Sequence, residues 1–221
     1  MSIPDLQKIY AERFGQAGLD KRKRVWKILC DGLFDRLVGP DQRVLDLACG
    51  YGEFINQVAA RKKYAVDLNP DSPNHLDPDV EFHSRLANQL DFLEDGQVDV
   101  VFTSNFLEHL PDKAACDAVF AEVRRVLAPG GRFIVLGPNI KYCYREYWDY
   151  YDHYLPLSHL SLAEGLVQSG YRITMNVPRF LPYTMNSSMP TSDALVRLYL
   201  KLPLAWSIFG KQFLVVAAKP G

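Results

Sequence analysis

Val44-Leu45-Asp46-Leu47-Ala48-Cys49-Gly50-Tyr51-Gly52-Glu53-Phe54 is the stretch whose reading decides the fold. Val44, Leu45 and Leu47 predict a buried strand, the two glycines a tight turn, and the residues from about Glu53 to Arg61 a helix. Glycine at 50 and 52 removes Cβ atoms from the path of an approaching ligand and permits positive φ. The opening of the following helix offers unpaired backbone N–H groups, which suit a carboxylate or a phosphate. Asp46, one residue from the strand end, adds an acceptor for a cationic or N–H group.

The run Tyr64-Ala65-Val66-Asp67-Leu68 is a second short apolar strand ending in a carboxylate. In a doubly wound sheet that carboxylate lies beside the glycine turn, where its two oxygens can accept both hydroxyls of a ribose. Adenosine is therefore the expected cargo. A nicotinamide-binding turn would need a third glycine opening the helix, and Ile55 stands there instead.

These residues resemble the class I S-adenosylmethionine-dependent methyltransferases, in their broad small-molecule branch. The acidic-x-x-x-Gly-x-Gly turn of that family matches Asp46, Gly50 and Gly52, with Ala48 as its small residue. The second acidic position matches Asp67. Two further matches are Asp99-Val-Val-Phe-Thr-Ser-Asn-Phe-Leu-Glu-His-Leu110 and Arg125-Val-Leu-Ala-Pro-Gly-Gly-Arg-Phe133. Together the four span roughly residues 40 to 140, in order and at family spacing, which is far more specific than a glycine turn alone. The resemblance implies an α/β fold: a Rossmann-like, seven-stranded, mostly parallel sheet with an antiparallel last strand and helices on both faces. It implies S-adenosylmethionine as cofactor, held by Asp46, Ala48, Gly50, Gly52, Asp67 and Leu68, with Asn105 and Phe106 as pocket walls. Many relatives keep an aspartate for the adenine amino group where this chain has Ala87 or Asn88, so Asn88 would supply that acceptor through its amide oxygen.

The 221 residues suit one domain: a helical lid over 1–40, a cofactor core over 41–140, and acceptor-side additions at 141–160 and 180–211. A net charge of −1 with mixed signs argues against a nucleic-acid partner. Lys21-Arg22-Lys23-Arg24 is the one cationic cluster and reads as a solvated helix start. Cys30, Cys49, Cys116 and Cys143 show no Cys-x-x-Cys pairing, so neither zinc nor a disulfide framework is indicated. No signal-peptide core is present, because Asp5, Lys8, Glu12 and Arg13 interrupt the first residues, and a cytoplasmic location is expected.

Two helices are expected over 4–38: Leu6, Ile9, Tyr10 and Phe14 form one stripe, Trp26, Leu29, Leu33 and Leu37 another, with Gly15 and Gly18 between them. In the family such helices cover the cofactor, which makes Tyr10 and Phe14 lid candidates. Turn formers from Asn69 to Pro78 shorten or replace the usual second helix. Val80–His83 and Val98–Thr103 read as strands, 112–127 as a helix ended by Pro129-Gly130-Gly131, and Phe133–Leu136 as the next strand. Ser161-x-x-Glu164 reads as a capping box for a helix ending at Gly170. Residues 171–177 alternate as a half-wet strand, and Phe213–Ala218 is apolar throughout, matching the family's inserted antiparallel strand.

Acceptor chemistry is expected from the aromatic-dense loop between Gly137 and Leu160. His153, His159 and Tyr150 are the acid–base candidates, with Asp152 able to orient a histidine. His109 reads as a supporting residue. Asp149, Asp152 and His153 share one helical face that could hold a metal, but surface polarity and packing account for them and no metal is expected. A helix starting at Thr191-Ser192-Asp193 and broken at Pro203 reads as a cap, with a membrane-surface contact the less favoured role. The reaction expected is methyl transfer to an oxygen, nitrogen or carbon of a small-molecule acceptor. The rival readings are a membrane-surface enzyme acting on a lipid-linked sugar or quinone, and a non-catalytic regulator that binds the nucleoside.

Overall fold

The computed structural model describes residues 16–183 and 192–221. The expected first helix, with Tyr10 and Phe14, lies outside the described residues. Seven strands form one sheet: β1 Arg43–Leu47, β2 Lys62–Val66, β3 Val80–His83, β4 Val98–Ser104, β5 Leu127–Pro138, β6 Arg172–Val177 and β7 Gln212–Ala218. Their order is β3-β2-β1-β4-β5-β7-β6, with β7 antiparallel to both its neighbours and the others parallel. The order reverses between β1 and β4, and the crevice at the carboxyl ends of those strands is where open α/β sheets take ligands.

The central strands β1, β2, β4, β5 and β7 bury both faces over their apolar runs, while β3 and β6 at the two edges stay partly open. Leu45, Leu47, Val101, Phe133 and Val135 face α2 (Lys113–Val126) and α4 (His159–Gln168), which contribute Val119, Phe120, Leu162 and Leu166. Val44, Val100, Phe102 and Ile134 face the opposite layer, built by Trp26, Leu29 and Phe34. That layer belongs to α1 (Gln16–Leu29), which continues through a π turn at Cys30–Phe34. Gly18 lies inside α1, so the helix is unbroken there. Arg22 departs from the solvated reading of its run: it turns inward to Glu53 at 2.7 Å.

Three more elements differ from expectation, and the shortened second helix agrees with it. Residues 53–61 form successive turns rather than a regular helix. Gly52 has φ of +74°, and the side chain of Asn56 is tied to His75 O and the Asp77 N–H, so the segment is bent back toward β2 before a ladder develops. The second helix is reduced to a 3₁₀ turn at Ser72–His75. Pro129-Gly130-Gly131 does not end at a turn but bulges within β5, whose pairing with β4 skips from Leu127 to Arg132. The helix read from Ser161 begins earlier, because Ser158 is its N-cap and exchanges hydrogen bonds with Ser161, leaving Glu164 outside the capping box.

The segment read as an aromatic loop contains a helix, α3 (Ile140–Tyr147), capped by the Asn139 side chain. Ion pairing of Lys211 with Glu146 ties it to the chain entering β7. In the insertion, Ser192 caps α5 (Asp193–Leu200), and Pro203 opens α6 (Pro203–Phe209). Leu200 and Trp206 pack on the layer of α1. All four cysteines are buried and free. Among the described residues no helix is long and apolar enough to cross a membrane.

Phe102 sits at the centre of an aromatic group: it stacks on Phe54 at 3.8 Å and meets Phe34 at 5.2 Å and Trp26 at 5.9 Å. Phe54 belongs to the glycine turn, so the core and the site share a residue. Phe102→Ala is expected to cost about 3–5 kcal/mol, read as a lowered urea midpoint. An unchanged midpoint would show that the stack contributes nothing.

Candidate active site

The turn after β1 is built from left-handed residues at alternate positions: Ala48 at φ +59°, Gly50 at +56° and Gly52 at +74°. For Ala48, which carries a Cβ, this is a strained conformation that the surroundings must hold. Several bonds hold it. The Cys49 N–H donates to Val66 O at 3.0 Å, and the Gly52 N–H to Cys49 O at 2.9 Å. The Thr103 hydroxyl donates to Leu47 O at 2.8 Å, fixing the strand end from the β4 side. A Cβ on Gly52 would come within 2.4 Å of Leu76 Cδ2, so this glycine is needed for space as well as for its angle.

Asp67 is the main fastener. Its Oδ2 accepts from the Gly50 N–H at 2.7 Å and its Oδ1 from the Asn69 N–H at 2.8 Å. Burial raises its pKa, and the backbone N–H groups of Asn69, Gly50 and Leu68 oppose that rise. Each carboxylate oxygen has a second lone pair, so the group that locks the turn can still accept from ribose hydroxyls. Asn69 is a site residue that the sequence reading missed; its place two residues after an acidic strand end was the available signal.

Asp46 is almost fully buried, and its pKa is pushed well up by burial and by the neighbouring charges of Glu53 and Asp67, against one backbone hydrogen bond from Ile55. Asp46, Glu53 and Asp67 make an acidic cluster around the turn, answered on one side by Arg22. A cationic ligand there would favour the charged form of these acids and be favoured by it. The residues fit S-adenosylmethionine in this respect, and the left-handed turn lets backbone approach closely.

Across the crevice, β4 delivers Asn105 in a second strained conformation, φ +49°, its N–H bonded to Leu136 O at 3.0 Å. Asn105 is exposed and Phe106 half-buried at the carboxyl edge, beside the turn. Leu68 is half-buried next to Asp67. Asn88 lies exposed in the turn at 87–88, while Ala87 packs on the core. The loop behind it is pinned by the Leu90 N–H to Glu122 Oε1 at 2.8 Å.

Of the acid–base candidates, the structure brings His153 and Tyr150 together and places His159 in a different network. Tyr150 stacks on His153 with centroids 4.9 Å apart, Tyr147 lies at 4.7 Å, and His109 meets His153 edge-on at 5.0 Å. His109 Nδ1 lies 2.8 Å from Asp152 O and 3.2 Å from Asp152 Oδ2. Burial works against charge on His109, but Asp152 and Glu108 outweigh it and raise its pKa. The Tyr147 hydroxyl is buried with no hydrogen-bond partner, an arrangement that costs about 1–3 kcal/mol. Tyr183, from the far side of the molecule in sequence, reaches His153 Nδ1 at 3.4 Å. No local pattern could have found Tyr183 or the approach of Glu108 to His153, whose polar atoms come within 4.8 Å, since both depend on how distant loops meet.

His159 is bonded instead to Asn139. The Asn139 amide nitrogen faces both His159 Nδ1 at 2.9 Å and Pro178 O at 2.8 Å. A carbonyl can only accept, so the amide donates and Nδ1 accepts. Burial, then Lys141, lowers the His159 pKa, keeping this histidine neutral.

Residues 44–131 match the family described as a methyltransferase domain. An uncharacterized methyltransferase of Synechocystis is 35% identical over 105 residues, covering 45% of this chain and 48% of that protein. The chloroplastic tocopherol O-methyltransferase of Arabidopsis thaliana is 29% identical over 117 residues, 48% of this chain and 31% of its own length. A crystal structure of an S-adenosylmethionine-dependent methyltransferase from Archaeoglobus fulgidus superposes with a TM-score of 0.67 at 20% identity, over 96% of this chain and 99% of that one. Residues 44–131 thus carry a methyltransferase domain, on a fold shared with S-adenosylmethionine-dependent methyltransferases, and S-adenosylmethionine is the cofactor of that class. The chain spans half or less of the length of the curated relatives it matches here.

Asp67→Asn keeps the shape of the side chain but leaves one oxygen for two N–H donors, with an amide N–H₂ facing the other. S-adenosylhomocysteine affinity by calorimetry is expected to fall about tenfold or more. Equal affinity would mean that the Asp67 bridge is dispensable.

Proposed function

We propose that this chain transfers a methyl group from S-adenosylmethionine to an oxygen, nitrogen or carbon of a small-molecule acceptor. The observation that carries the reading is the Asp67 bridge between the Gly50 and Asn69 amides, set just beyond the carboxyl ends of β1 and β2. When bound, the cofactor supplies a methyl on cationic sulfur; an acceptor lone pair forms the new bond to carbon, and the electrons of the broken S–C bond stay on a neutral thioether. Asp46, Ala48, Gly50, Gly52, Asp67 and Leu68 would hold the cofactor, with Asn105 and Phe106 on the β4 side. Asn88 would contribute only through its exposed amide.

The residues of the chain act by orientation and by excluding water, which suits a reaction in which charge is neutralised. Where the acceptor must lose a proton, His153 would take it; Tyr150 stacked on its ring and Tyr183 at its Nδ1 support this role. His159, although read as acid–base from sequence, would serve by holding Asn139 and thereby the start of α3.

A specific observation favours a second reading. Leu204 is 82% and Ile208 66% exposed, and Leu198 and Phe209 also face outward on the cap. This apolar surface would suit an acceptor presented at a membrane, such as a lipid-linked sugar or quinone. Trp206 is not part of it: its Nε1 donates to Tyr199 O at 2.8 Å and its ring packs on Phe180.

Calorimetric titration with S-adenosylmethionine and S-adenosylhomocysteine, followed by transfer of labelled methyl to a panel of acceptors, tests the main reading. Saturable binding with transfer is the expected result. Binding without transfer to any acceptor would favour a regulator, and no binding by folded protein would remove the cofactor assignment. For the second reading, Leu204→Ser with Ile208→Ser should reduce co-sedimentation with liposomes by about tenfold or more; wild-type protein that stays in the supernatant would sink it.

A further inference from the structure

Glu108 and the adjacent His109 are met by His153 from much further along the chain, with one ligand-capable atom from each within 4.8 Å of the others. Glu108 and His109 occupy the 3₁₀ turn Leu107–His109 just beyond β4. His153 arrives on the loop after α3. Backbone bonds lock the two pieces: the Tyr154 and Leu155 N–H groups both donate to Glu108 O, at 2.8 and 3.1 Å. The sequence spacing that pairs His153 with Asp149 is not used; Asp149 is exposed.

Both imidazoles are held from behind. Nδ1 of His109 donates to the Asp152 carbonyl, which can only accept, so the neutral ring carries its lone pair on Nε2. The Tyr183 hydroxyl lies 3.4 Å from His153 Nδ1; where it accepts from that nitrogen, the lone pair of His153 is on Nε2 as well. A carboxylate or carbonyl behind one ring nitrogen is how metal-binding histidines are oriented. Glu108 and His153 are buried, while His109 is partly open. The buried, unpartnered Tyr147 hydroxyl lies beside the cluster, its ring against His153.

We propose that Glu108, His109 and His153 bind a divalent first-row transition-metal ion. Two imidazoles and one carboxylate select a borderline ion such as Zn²⁺, Fe²⁺ or Co²⁺ over Mg²⁺ or Ca²⁺. Three protein ligands leave coordination positions for an oxygen of a hydroxyl- or carboxylate-bearing acceptor. The part about the acceptor rests on the methyl-transfer reading, and with the ion bound His153 is a ligand and no longer the proton-accepting base; the binding of the ion does not rest on that reading.

The test uses the untagged full chain, treated with chelator and titrated with Co²⁺ while visible d–d absorption is followed. S-adenosylhomocysteine affinity is measured on every sample. The expected result is one Co²⁺ per chain, displaced by Zn²⁺ and not by Mg²⁺. Glu108→Gln and His153→Gln should each weaken Co²⁺ binding by about 100-fold or more, with S-adenosylhomocysteine affinity kept. Wild-type protein that binds S-adenosylhomocysteine but takes up no Co²⁺ would overturn the site while leaving the cofactor assignment intact. Co²⁺ binding that survives both substitutions would overturn it equally.

Discussion

The hydrogen bonds from the Gly50 and Asn69 amides to the Asp67 carboxylate are the constraint on which the rest of the site depends. Three residues of the turn stand in left-handed conformations, one of them an alanine, and such backbone persists only where its surroundings over-determine it. Charge-assisted bonds to a buried carboxylate are strong enough for that task. The cost is an acid kept in a poorly solvated place next to Asp46 and Glu53. Stability and binding are therefore coupled through one side chain: what orders the turn is also what would meet a ribose.

The two sides of the crevice are made differently. The cofactor side is contiguous in sequence, running from β1 to the bulge in β5, and its contacts are short-range crossings between neighbouring strand ends. The acceptor side is composite. Its polar cluster takes Glu108 and His109 from the end of β4, Tyr147 to His153 from α3 and the loop after it, and Tyr183 from the segment beyond β6. A change in any of these loops alters the acceptor side while leaving the glycine turn untouched.

This division explains what was legible in the sequence. The strands and the glycine turn could be read because each is fixed by local pattern: apolar runs, alternate glycines, acidic strand ends; the place of the antiparallel last strand came only from the family resemblance. Ala48, Gly50, Gly52 and Asp67 lie together as their spacing implies. The missing helix after Gly52 could not be read, because the tethering of Asn56 to His75 and Asp77 overrides local propensity. Helix α3 was hidden by aromatic density, although Asn139 is an ordinary cap. His159 and His153 look equivalent in sequence, two histidines in one loop. Only the orientation of the Asn139 amide separates them, and that is set by Pro178, far along the chain.

The position of β7 has a consequence for how the protein is made. This strand lies between β5 and β6, pairs with both, and is buried along its whole length, yet it is the last strand to be synthesised. Until it emerges from the ribosome, β5 offers an unpaired apolar edge and β6 has no neighbour at all. Parallel pairing of β1 to β5 can proceed earlier, but the sheet closes only by insertion of the final strand between two waiting edges. Such a nascent chain is long exposed to edge-to-edge association, and its yield in a cell depends on what shields those edges before the last strand arrives.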